Sequence, residues 1–133
     1  MNIGFDIHGT LDSSQTLRDF ANFLADSPEH TVYIISGPEM DEIVKRLKKI
    51  GMDPNRFVLV SIIGYLKADG VKFWKVKVDG ENRLFCDYNT WWGSKGRICK
   101  ELSISIMFDN QIEYMKDMPE TTTFLLYPEE VEN

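Results

Sequence analysis

The run Thr31-Val-Tyr-Ile-Ile-Ser36 constrains the fold more than any other stretch, because its β-branched and aromatic residues are continuous rather than alternating. A strand with one face in water alternates apolar and polar residues, whereas a central parallel strand covered on both faces does not. Such a strand needs helices on either side of it. Residues 14–26 place Leu17, Phe20, Ala21, Phe23 and Leu24 at helical spacing, and Ser27-Pro28 ends that helix because the residue before proline is pushed out of the α region. A second helix opens at Pro38, with Glu39, Asp41 and Glu42 near the positive end of its dipole. It carries Met40, Ile43, Val44, Leu47 and Ile50 on one face and stops at Gly51. Hydrophobic runs at 3–7, 57–63 and 104–108 read as further buried strands, and 121–127 makes a fifth. Right-handed crossovers would make strands so connected parallel. The expectation is a single α/β domain over 1–133, Rossmann-like, with a mainly parallel sheet of about five strands and helices on both faces.

The rhythm breaks between 64 and 94. Val71-Lys-Phe-Trp-Lys-Val-Lys-Val78 and Arg83-Leu-Phe-Cys-Asp-Tyr88 are short β-like segments around Asp79-Gly-Glu-Asn82, and Asp-Gly between alternating runs signals a hairpin. A small β-hairpin insertion or cap is expected within 64–94. Phe73, Trp74, Tyr88, Trp91 and Trp92 could stack on a base or ring, but aromatics in so small a chain are more often core. The net charge of −6 and the lack of a long basic run disfavour nucleic acid as a partner, except as a phosphorylated end or a nucleotide. Lys45, Arg46, Lys48 and Lys49 read as a solvated face that complements the helix dipole. The start reads as a strand rather than a signal peptide, no apolar run approaches a membrane span, and Cys86 and Cys99 lack ligand-like spacing. The expected setting is therefore cytoplasmic, with reduced thiols and no membrane partner. The acidic end at 129–133 is expected to fray. Nothing in the residues specifies an oligomeric state.

Chemistry concentrates where strands stop. Asp6 sits at the carboxyl end of the first strand beside Gly9-Thr10, the end at which open α/β sheets bind ligands. Ser36-Gly37 ends the second strand, and its hydroxyl reads either as a donor to a phosphate oxygen or as the cap of the following helix. A helix expected at 94–102 carries Lys95 near its start, and the run 104–108 ends in Asp109-Asn110.

Asp6-Ile-His-Gly-Thr-Leu11 resembles the first motif of the haloacid dehalogenase-like superfamily, a hydrophobic strand followed by Asp-x-Asp-Gly-Thr-Leu. Ser36, Lys95 and Asp109 stand in the order and strand context of the superfamily's later motifs. The resemblance implies a Mg2+-dependent phosphohydrolase acting on a small phosphomonoester. Asp6 would be the nucleophile and a metal ligand, with the His8 carbonyl and Asp109 completing the protein's share of the Mg2+ site. Ser36, Gly37 and Lys95 would hold the phosphate. The chain departs from the pattern at His8, where the superfamily has its acid–base Asp, and at Asn110, where it has a second terminal acid. An imidazole can both protonate a leaving alcohol and activate water. Alternatively His8 has lost that role, and the chain is a weakly active or inactive domain that binds metal, phosphate or a protein partner.

Overall fold

The computed structural model describes residues 1–128; the acidic end at 129–133 lies outside the described residues. Five parallel strands form the central sheet, β1 (Asn2–Phe5), β2 (Thr31–Ser36), β3 (Val58–Ser61), β6 (Ile106–Asp109) and β7 (Thr123–Leu126), in the order β3-β2-β1-β6-β7. The expected α/β, Rossmann-like arrangement is what the chain adopts. Helices α1 (Gln15–Asp26) and α2 (Met40–Lys49) cover one face, while α3 (Ile62–Ala68) and α4 (Tyr88–Glu101) cover the other.

The two faces follow from strand periodicity. Successive residues of a strand point to opposite sides, so Ile3, Phe5, Val32 and Ile34 join Leu17, Ala21, Leu24, Ile43 and Leu47 in one core. Ile35 and Met107 turn the other way and pack with Ile62, Leu66, Ile98 and Cys99. This double coverage is why the strands need no polar face. On the first side Phe5 stacks on Phe108 with centroids 4.8 Å apart, and Phe20 meets both rings edge-on. On the second side Gly4 leaves room for Met107, whose sulfur lies 2.6 Å from where a β-carbon would stand.

The β-hairpin expected within 64–94 is present and fills only part of that range. Only β4 (Trp74–Val78) and β5 (Glu81–Phe85) form the hairpin, a separate two-stranded sheet turned by Asp79 and Gly80. Both turn residues have positive φ, 50° and 81°, as a two-residue hairpin with a type I′ turn requires. Short connections at 69–73 and 86–87 join it to α3 and α4. The third strand stops at Ser61 rather than continuing to 63, because the Ser61 side chain accepts from the Gly64 amide and starts α3 at once. Helix α4 starts at Tyr88 rather than 94, capped by Asp87, whose carboxylate accepts from the Thr90 amide at 3.1 Å. Among the described residues no helix is long and apolar enough to cross a membrane.

Candidate active site

Strand order fixes where a ligand would sit. The chain runs outward from β1 through β2 to β3, then crosses to β6 and β7 on the other side of β1. The switch point lies between β1 and β6, and loops leaving neighbouring strands in opposite directions open a crevice there. Asp6 follows β1, Asp109 ends β6 and Ser36 ends the adjacent β2. All three are buried, and Asp6 and Ser36 line one cleft of about 270 Å³ with His8, Gly37, Lys95 and Asn110. Asp109 does not line the cleft itself, but Lys95, which does, contacts it.

Lys95 unites the acids. It lies seven residues into α4, not at the start of a helix, and its side chain crosses beneath the cleft fully buried. Its ammonium stands 3.2 Å from Asp6 Oδ1 and donates to Asp109 Oδ2. The same ammonium lies 4.4 Å from the centre of the Tyr114 ring. Burial alone would drive Lys95 toward the neutral amine, but the Asp6 and Asp109 carboxylates outweigh that penalty and raise its pKa. Lysine therefore stays charged. Burial raises the Asp109 pKa, with the Asp6 charge adding to it, and the Lys95 ammonium only partly counters the effect. Two carboxylates thus share one buried cation. Burial likewise holds the Tyr114 hydroxyl neutral, its pKa pushed up to about 12.

The loop after β1 is shaped by its neighbours. Gly9 has φ +72°, and a β-carbon there would fall 2.0 Å from Asn110 Nδ2. Only glycine lets the first-strand loop lie against the Asn110 amide. Asn110 Oδ1 and Thr10 Oγ1 are buried without a hydrogen-bond partner, which marks this corner as short of a donor or a cation. His8 pairs its ring with Asp12 rather than with Asp6 or Asp109. Its side chain is 74% exposed, with Nδ1 3.5 Å from Asp12 Oδ2, whose other oxygen accepts from the Gly9 amide. Ser36 is not a helix cap, because the N-cap of α2 is Glu39 and the side chain that accepts from a first-turn amide is Asp41, from Glu42. Gly37 passes close under Trp91, whose ring lies 3.2 Å from where a β-carbon would stand.

Hard oxygen donors at this centre fit magnesium. The Asp6 carboxylate, the His8 carbonyl and the orphaned Asn110 oxygen are available, while both Asp109 oxygens are engaged, one by Lys95 and one by the Gln111 amide at 2.9 Å. Among the described residues no three His, Cys, Asp or Glu side chains converge on a common point. Magnesium tolerates so few side-chain ligands because it keeps several waters.

Tyr114, Gln111 and the place of Arg46 in the cleft lie beyond the sequence reading, whereas Trp91 and Trp92 are already candidates there for stacking on a ring. Tyr114 comes from the 3-10 turn Ile112–Asp117, Trp91 and Trp92 from the first turn of α4, and Arg46 from the face of α2 that was read as solvated. For Arg46 the available signal was its position three residues after the buried Ile43, at the margin of the apolar stripe. No family model matches the chain, and no curated protein or solved structure matches it at a significant level.

Proposed function

We propose that this chain is a magnesium-dependent phosphohydrolase of the haloacid dehalogenase-like type, acting on a small phosphomonoester through an aspartyl-phosphate. The observation that carries the reading is the buried Lys95 ammonium joined to both Asp6 and Asp109 at the floor of a cleft rimmed by Ser36 and Gly37. Phosphoryl transfer is mostly positioning and charge neutralisation, and these groups supply both. Asp6 Oδ would attack phosphorus as the bond to the leaving group breaks, and the departing alkoxide would take a proton from solvent, to which the hydrolytic water later returns one. Water would then attack the same phosphorus, release phosphate and restore the Asp6 carboxylate. Ser36 and the Gly37 amide would orient the phosphate oxygens while Lys95 balances their charge. Bound magnesium would contribute further neutralisation of those oxygens, held by Asp6, the His8 carbonyl and Asn110, with Asp109 joining only by giving up its Lys95 or Gln111 contact. Free thiols at Cys86 and Cys99 fit a cytoplasmic setting.

A second reading, binding without appreciable turnover, is favoured by one observation, the turn of His8 toward Asp12 and solvent. Hydrolysis of 4-nitrophenyl phosphate with magnesium separates the two. Turnover that disappears in Asp6→Asn supports the first, and a thermal shift with millimolar magnesium that is absent in Asp109→Ala supports the metal site. Turnover equal in wild type and Asp6→Asn would sink it. If wild type is silent and His8→Asp gains activity, the binding reading stands.

A further inference from the structure

Beside the cleft runs a second, larger concavity of about 640 Å³, lined by Trp74, Leu84, Phe85, Tyr88, Trp91 and Trp92. Trp91 and Trp92 line both cavities, so the groove adjoins the phosphate end of the cleft across these two rings. Its aromatic rings are not all spent on the core. Trp91 and Trp92 pack partly against it, but Trp74 and Tyr88 remain 53% and 68% exposed, and Phe85 is exposed as well. Trp74 and Phe85 are direct cross-strand partners at the open end of the hairpin and face the same side. Among the described residues one charged side chain borders the groove, Asp87, and its carboxylate accepts from the Thr90 amide and hydroxyl at the start of α4.

Resting on the phosphatase reading above, we propose that this groove receives the leaving group, and that the substrate class is phosphomonoesters whose alcohol carries a planar, uncharged aromatic ring. The volume lies within the roughly 300–1,000 Å³ typical of small-ligand sites. An uncharged ring suits walls made mostly of π faces, whose carboxylate is already hydrogen-bonded, and stacking on them would cover the exposed Trp74 and Tyr88. Trp91 couples the two ends, since its ring rests against Gly37 at the phosphate side while also bordering the groove.

The test pairs benzyl phosphate with butyl phosphate, alkyl esters whose alcohols differ little as leaving groups, and adds a nucleoside 5′-monophosphate to separate an aryl from a nucleobase source. Wild type should favour the aromatic ester in kcat/KM, and Trp74→Ala should reduce the benzyl-to-butyl ratio about tenfold, a change of the size one lost stacking partner brings. Tyr88→Ala should act in the same direction, and Trp74→Phe should keep most of the preference. In parallel, benzyl alcohol and adenosine are titrated into wild type while the indole N–H signals of the three tryptophans are followed by NMR. Movement of the Trp74 and Trp91 signals without turnover of any ester would remove the phosphatase reading and keep the groove. Turnover with no aromatic preference and no movement would do the reverse and overturn the inference. Broadening of those signals with protein concentration alone would assign the groove to a second copy of the chain, which also overturns it.

Discussion

Lys95 is the residue on which the centre depends. Removing one partner of a buried charged cluster is far more damaging than removing both, since the remaining charge stays buried and unpaired. Lys95→Met should therefore destabilise the fold by about 3–5 kcal/mol in urea unfolding, while the double variant with Asp109→Asn should recover much of that loss. Magnesium should stabilise Lys95→Met more than wild type, because a second cation is worth more once the first is gone. Equal shifts in the two proteins would separate the metal from these carboxylates. The pH dependence has a definite sign. Folding raises the Lys95 pKa, so the stability it contributes is complete below the ordinary lysine value of about 10.4 and is lost as pH rises through the folded-state value. The stability difference between wild type and Lys95→Met should stay level up to about pH 10 and shrink above it. A difference that collapsed near neutral pH would mean the ammonium is not held as described.

Helix α4 carries Lys95 into place, and two glycines within it make opposite predictions. A β-carbon on Gly96 would lie 2.1 Å from the backbone oxygen of Asp117, whereas on Gly93 its nearest neighbour would be 3.7 Å away. Gly96→Ala should cost about 2–3 kcal/mol by forcing the helix off the turn Ile112–Asp117, and should disturb Tyr114 with it. Gly93→Ala should instead stabilise by about 0.5–1 kcal/mol through helix propensity alone. Thermal unfolding of the pair checks both, and similar effects from the two would refute the close approach. The same glycines explain what could be read beforehand. Strands β1, β2 and β6 and helices α1 and α2 were legible because their patterns are long and periodic, and the polar residues at the strand ends were legible with them. The start of α4 was not, since Gly93 and Gly96 look like breakers until the turn they pack against is known. Ile62 and Ile63 read as strand for a similar reason, because the Ser61 cap acts only once its hydroxyl donates to the Pro38 carbonyl at 2.6 Å. Tyr114 and Arg46 owe their place in the cleft to tertiary packing that no local period records.

The molecule as a whole divides into a doubly covered sheet and a hairpin that stands largely apart from it. Every sheet residue from Ile3 to Phe5 is buried, whereas most positions of β4 and β5 are exposed on both faces. A two-stranded hairpin is only marginally stable by itself, so β4 and β5 should open locally without unfolding the core. Their amides should exchange with deuterium at least about 100-fold faster than those of β1 and β2, which open only with global unfolding. Comparable protection in the two sheets would show that the hairpin is clamped by contacts stronger than those seen. The aromatic face adds a second expectation. If a ring seats against Trp74, Phe85 and Tyr88, it ties the hairpin to the start of α4, and an aromatic phosphomonoester at saturation should slow exchange in β4 and β5 while leaving β1 nearly unchanged. Inorganic phosphate should not, because the cleft it would enter is walled by Trp91 and Trp92 and by no residue of the hairpin. Slowing by phosphate equal to that by the aromatic ester would mean that the hairpin responds to the phosphate end, and that its exposed rings have no part in holding the alcohol.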